Sequence, residues 1–65
     1  MDRVLPAAEN LFQAAYSIYQ GGQLDEAEPL LRKAVRLNPN HIKANLILTL
    51  ILLDKGDTDE ALKIL

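Results

Sequence analysis

The chain has 65 residues, of which 49% are hydrophobic and 25% charged, a balance typical of a folded globular domain. Its formal net charge of -2 leaves no broad positive field for nucleic acid or anionic lipid, and the lack of cysteine excludes disulfides, thiolate metal sites and cysteine nucleophiles. These features predict one small domain, residues 1–65, that does not bind nucleic acid.

No segment of the sequence has the character of a membrane span or a leader peptide. The most apolar stretch, residues 46–53, contains Thr49 and is bounded by Asn45 and Asp54, whereas a span needs about 18 consecutive apolar residues. The opening Met1-Asp2-Arg3 is charged, and no continuous apolar region follows it. We therefore expect no membrane span and, by default, a cytoplasmic protein.

The first predicted element is a helix over residues 6–20. No helix-breaking residue interrupts this segment after Pro6, and proline suits the first turn of a helix, where its missing N–H is no loss. Gly21 and Gly22 then stop the helix, because glycine adopts the conformation of a helix C-terminus without steric cost.

A second helix is predicted over residues 25–37. We expect Asp25 to cap it by accepting backbone N–H groups, and Glu26 favours the positive end of the helix dipole. The apolar residues of this segment recur at helical spacing and define its inner face: Ala27, Leu30, Leu31, Ala34, Val35 and Leu37. The outer face holds basic residues that we expect to be solvated, with a contact to phosphate or to an acidic partner as the alternative: Arg32, Lys33 and Arg36, with Lys43 following.

The second helix is expected to end at Asn38, because a residue before proline is pushed out of the helical region. A third helix is predicted over residues 42–55, ending at Gly56, and a fourth over residues 59–65. Taken alone, the apolar run 46–53 is also compatible with a buried strand, which periodicity cannot exclude. The repeat that spans this run decides for a helix.

An internal repeat with one fixed period runs through the chain. Gly22 recurs as Gly56, and the triplet Asp25-Glu26-Ala27 recurs with the same offset as Asp59-Glu60-Ala61. The same offset relates Leu31 to Leu65. Several independent features therefore agree on one register, which indicates stacked units of the same structure.

This period of about 34 residues and the residues that recur resemble the tetratricopeptide repeat family, whose pattern combines bulky and small helix residues, a turn and a closing proline. The positions that match the pattern are Leu11, Ala14, Ala15, Ile18, Gly22, Ala27, Leu31, Ala34 and Pro39. The sequence departs from it where Leu11, Ile18 and Leu31 replace aromatic residues and where Asn45 occupies the second repeat's tryptophan position.

The resemblance implies an all-α fold of antiparallel helical hairpins stacked as a right-handed superhelix, a short α-solenoid. The first repeat would be residues 8–41 and the second residues 42–65, cut short within its second helix. Because arrays normally need about three repeats and polar caps, we expect either a fragment of a longer protein or a chain completed by self-association.

The family's use of its first helices implies a protein-binding or scaffolding role, with a concave groove as the binding site. The groove-facing stripe would be Phe12, Tyr16, Tyr19, Leu46, Leu50 and Leu53. Because Leu11, Ala14, Ala15, Ile18, Leu48 and Leu52 already supply an inward face, we expect this stripe to form an additional, exposed apolar surface. Its occupant would be an apolar helix or peptide of another protein, or a second copy of the chain.

No enzyme activity, metal or cofactor is predicted. General acid or base catalysis needs titratable groups gathered in a cleft, whereas Asp25, Glu26, Asp59 and Glu60 lie at predicted helix starts and are interpreted as caps. His41 is the only histidine and falls in the turn between the repeats, where we expect it to be solvated.

Overall fold

The computed structural model describes residues 4–64, and within them it contains four α-helices and no strand. They are α1 (Val4–Gln20), α2 (Leu24–Leu37), α3 (Ile42–Asp54) and α4 (Thr58–Ile64). Helices α1 and α2 form one hairpin, α3 and α4 form the next, and α3 contacts the first hairpin mainly through α2. The expected all-α architecture of helical hairpins is confirmed, although the predicted last residue, Leu65, lies outside the described part.

Two glycine turns close the hairpins in the same way. Gly22 has a φ of 83° and Gly56 a φ of 82°, a left-handed conformation that glycine adopts without a steric penalty. The backbone N–H after each glycine donates back across the turn, from Gln23 to the Ile18 carbonyl and from Asp57 to the Leu52 carbonyl, over 3.2 and 2.7 Å. The repeat seen in the sequence is therefore a repeat of backbone geometry.

The predicted cap of the second helix is wrong. Helix α2 begins at Leu24, its N-cap is Gln23, and the Gln23 side chain makes no capping hydrogen bond. Asp25 lies inside the first turn with Glu26, and Asp59 and Glu60 lie likewise inside the first turn of α4. These carboxylates stabilise their helices by interacting with the positive end of the helix dipole, and they do not act as capping acceptors.

The core is built from small residues where helices approach closely and from branched residues between them. Its buried members from all four helices are Phe12, Ala15, Ala27, Leu31, Ala34, Ala44, Ile47, Leu48, Ile51, Leu52 and Ala61. Ala8, Phe12 and Ala15 are all buried, and their i, i+4, i+7 spacing defines the inward face of α1. Ala14, which we expected to point inward, is exposed because it lies about a quarter turn away from that face.

None of the helices within residues 4–64 is long and apolar enough to cross a membrane.

Candidate functional site

A groove runs between α1 and α3, the first helices of the two hairpins. It contains a cavity of about 290 Å³ whose lining is Phe12, Gln13, Tyr16, Lys43, Leu46 and Ile47. Three members of the predicted stripe are therefore brought together, with Phe12 and Tyr16 on one wall and Leu46 on the other. Gln13 and Lys43 add polar groups that the sequence analysis did not place in the groove.

The α1 wall of the groove is a ladder of aromatic rings. The Phe12 and Tyr16 rings are stacked with centroids 5.7 Å apart, and the Tyr16 and Tyr19 rings are stacked at 6.4 Å. This follows from their spacing along one helix, which places each ring above the previous one. Tyr16 is 37% exposed, so the middle of the ladder is open to a ligand.

Phe12 differs from the prediction that the stripe is independent of the core. Its side chain is only 5% exposed, and its ring centroid lies 4.9 Å from that of His41. The residue is covered because the chain entering α3 passes over it, a contact that a single hairpin does not reveal. Phe12 thus supports the α1 wall of the groove and belongs to the hydrophobic core.

Helix α3 carries the other half of the stripe, of which Leu46 alone lines the cavity. Leu46, Leu50 and Leu53 are 53%, 41% and 47% exposed, while Leu48 and Leu52 on the opposite side are buried, as expected. Helix α3 is therefore apolar on both sides, and only one side is used by the core. Large exposed apolar residues that are contiguous in this way are typical of an interaction surface.

A second, wider cavity of about 490 Å³ adjoins the stripe on the α4 side of α3. It is lined by Pro39, Asn40, Ile42, Asn45, Leu46, Thr49 and Ile64. Ile42 is 80% exposed, and the sequence analysis did not single it out. The signal was present, because Ile42 lies one repeat after the buried Ala8 and has the same place in its hairpin.

His41 is not solvated, contrary to the prediction. Its side chain is 10% exposed, Nδ1 accepts the backbone N–H of Ala44 as the N-cap of α3, and Nε2 lies 2.8 Å from Oε1 of Glu9. Hydrogen bonds from Gln13 and then from His41 hold the pKa of the Glu9 carboxyl below its ordinary value. His41 therefore ties the turn between the hairpins to α1.

Charged residues tie α2 to the second hairpin. Arg32, expected to be solvated, forms ion pairs with Glu28 and with Glu60 of α4, and Lys55 lies 3.0 Å from Asp25 and 2.7 Å from Glu28. Lys55 and then Arg32 lower the pKa of Glu28, Arg32 lowers that of Glu60, and Glu60 with Glu28 raises the pKa of Arg32. Each of these carboxylates is paired with a basic side chain, which is a structural arrangement.

Asn45 also has a structural role at the position where the family pattern has tryptophan. Its side-chain amide donates to the carbonyls of Pro39 and His41, at 2.9 and 3.0 Å. The residue therefore fastens the loop between the hairpins instead of filling a gap between helices. Within residues 4–64 no cluster of three or more histidine or acidic side chains could hold a metal ion.

Comparison with known proteins agrees with this architecture. A family model described as tetratricopeptide repeat matches residues 19–65, which include the end of α1 and all that follows it. Neither the curated proteins nor the solved structures gave a match to the chain.

Proposed function

The chain belongs to the tetratricopeptide repeat family, and on that basis we propose that it is a binding module for an apolar helix or peptide segment of another protein. Repeats of this family generally mediate protein–protein interaction, and the family is typically non-catalytic. We take residues 8–41 as the first repeat and residues 42–65 as the second. The proposed site is the stripe of Phe12, Tyr16, Tyr19, Leu46, Leu50 and Leu53.

The observation that supports this proposal is one cavity in which Phe12 and Tyr16 lie opposite Leu46, with further exposed leucines along α3. Tyr16 at 37% and Leu50 at 41% exposure can both lose their remaining contact with water when a ligand enters. Tyrosine is enriched at the energetic centres of interfaces because it combines a large apolar ring with a polar tip. An amphipathic helix with apolar anchors at i, i+3 or i+4, and i+7 matches such a groove.

Two polar side chains restrict which ligands suit the groove. Lys43 and Gln13 line the same cavity as Tyr16 and Leu46. A ligand with one acidic or carbonyl-rich turn beside its apolar anchors would satisfy them, whereas a uniformly basic segment would meet Lys43 with like charge. We therefore propose a ligand that is apolar on one face and neutral or acidic at the edge.

Peptides selected from a random library against the immobilised chain test the proposal. Selected ligands should carry apolar residues at helical spacing, and Tyr16→Ala should weaken their binding about tenfold or more, as truncation of a central interface residue does. Lys33→Ala, an exposed position on α2 away from the groove, is the matched control and should leave affinity unchanged. Ligands that bind Tyr16→Ala as tightly as the unaltered chain would contradict the groove assignment.

A second candidate is a structural segment that associates with copies of itself. The observation that favours it is the 80% exposure of Ile42 beside the 490 Å³ cavity, because this surface continues from the stripe toward α4. A pair of helical hairpins that exposes such a surface to water is stabilised when another apolar surface covers it.

A further inference from the structure

The repeat register shows that the second hairpin exposes a face that is buried in the first. Ala8 and Phe12 in α1 are 0% and 5% exposed. Their equivalents, one repeat later in α3, are Ile42 and Leu46, which are 80% and 53% exposed. Both equivalents are large apolar residues. This side of α3 therefore has the composition of a packing surface without a packing partner among residues 4–64.

Head-to-tail stacking of a second copy does not suit this face. The residues by which α3 packs into the core include Ala44, Ile47, Leu48 and Ile51. Their equivalents in α1 are Asn10, Gln13, Ala14 and Ser17, all exposed. Placing the α1 helix of a second copy on the open face would press three polar side chains onto apolar surface and leave them without hydrogen-bond partners.

The open face of α3 is instead complementary to itself when reversed. Its exposed apolar residues extend over the whole helix and are spaced symmetrically about its middle: Ile42, Leu46, Leu50 and Leu53. In an antiparallel pair related by a two-fold axis, Leu46 of one copy lies opposite Leu50 of the other. Ile42 lies correspondingly near Leu53, so each of these four exposed residues meets another.

The charges at the ends of α3 obey the same symmetry. Lys43 and Asp54 are separated by about three full helical turns, so they border the stripe on the same edge at opposite ends. A two-fold axis perpendicular to the helices keeps that edge and exchanges the ends, which brings Lys43 against Asp54 of the other copy twice. Both side chains are exposed, and neither belongs to an ion pair within residues 4–64.

We propose that two copies of this chain pair through α3 in antiparallel orientation, with Leu46 packed on Leu50 and Lys43 facing Asp54 across the two-fold axis. The proposal rests on the second candidate function, self-association of the chain, and names the surface and the orientation by which the copies would pair. A two-fold interface closes on itself, so the product is a dimer and not a filament. The dimer and a foreign peptide compete for Leu46 and Leu50.

Exchanging the charges of Lys43 and Asp54 tests this arrangement. The dimer dissociation constant is measured by sedimentation equilibrium over a concentration series. Lys43→Asp and Asp54→Lys each replace two attractive contacts by two repulsive ones, and each should raise the dimer dissociation constant about tenfold or more. The double variant Lys43→Asp/Asp54→Lys restores opposite charges and should return the constant to within about threefold of the original. Lys33→Asp changes the net charge equally on α2 and should leave the dimer unaffected.

Three results would overturn the proposal. One is a chain that stays monomeric up to its solubility limit, which would leave the face to a helix of another protein. The others are a dimer weakened as much by Lys33→Asp as by Lys43→Asp, and a double variant no better than either single one. Leu50→Lys should abolish the dimer with unchanged helicity. In the peptide selection the chains are immobilised too far apart to dimerise. Peptide binding and dimerisation are therefore tested separately, and either proposal can fail while the other stands.

Discussion

The imidazole of His41 joins the two hairpins through the carboxylate of Glu9, with Nε2 and Oε1 2.8 Å apart. Because Nδ1 accepts the N–H of Ala44 at 3.1 Å, the proton of the neutral ring is carried on Nε2 and donated to Glu9. One side chain thus caps α3, contacts α1 and covers the Phe12 ring. Replacing His41 should therefore weaken all three contacts.

Replacing His41 separates its capping role from its contact with Glu9. His41→Ala leaves the first N–H groups of α3 without an acceptor and uncovers Phe12, so the free energy of unfolding should fall by about 1–2 kcal/mol. His41→Asn keeps a good capping side chain and should lose less. Urea unfolding of both variants measures the difference, and equal losses would mean that the cap contributes little.

Stability should fall in mild acid because of the paired glutamates. The pKa of Glu28, Glu60 and Glu9 is lowered in the folded chain from a reference of 4.5. A lowered folded pKa means that the unfolded chain binds protons first, so this stabilisation is complete above the reference value and is lost as the pH falls from there through the folded pKa.

The expected measurement is a melting temperature that is flat near neutrality and declines below about pH 4.5, where glutamate in an unfolded chain begins to take up protons. Glu28→Gln removes the carboxylate shared by Arg32 and Lys55 and should make that decline shallower. A decline of unchanged steepness in Glu28→Gln would assign the acid sensitivity to other groups.

Overpacking distinguishes the buried alanine of α2 from an exposed alanine of α1. Ala27 is 0% exposed, so Ala27→Leu forces α1 and α2 apart and should cost about 1–3 kcal/mol. Ala14→Leu, at an exposed position, should change stability by no more than about 0.5 kcal/mol. Denaturant unfolding of the pair checks both values, and a neutral Ala27→Leu would contradict the packing of the first hairpin.

The two arginines of α2 should respond differently to removal of their charge. Arg32→Gln breaks the connection between Glu28 and Glu60 and should raise amide hydrogen exchange in α4, with a loss limited to about 1 kcal/mol because the pair is partly exposed and screened by salt. Arg36→Gln, an exposed control, should stay within about 0.5 kcal/mol. Equal exchange rates in both variants would show that Arg32 does not hold α4.

Much of the fold was predictable because its determinants are local in the sequence. Gly22 and Gly56 mark both turns, and the repeat period relates one hairpin to the other without any knowledge of distant contacts. The buried positions of α2 follow from helical spacing alone. Asp25 was predicted to cap α2 because aspartate is a favoured N-cap residue. The turn at Gly22 instead makes the helix begin earlier, so that Gln23 is the N-cap.

The residues that the sequence analysis misplaced depend on contacts between hairpins. Phe12 is buried and His41 is covered because they meet each other, and Arg32 is paired because α4 brings Glu60 beside it. Such contacts join parts of the chain that are distant in sequence. Periodicity assigns a side chain to a face of its own helix but does not say which neighbouring helix covers that face.

The ion pairs from α2 to Lys55 and Glu60 give the seam between the hairpins two unlike edges. Salt screens the attraction on that edge, whereas strongly hydrated salts such as sulfate strengthen the apolar contacts of Phe12, Ile47 and Leu48 on the other. The contacts between the hairpins therefore respond to one added salt with opposite sign, because sulfate weakens the ion pairs while it strengthens the apolar contacts.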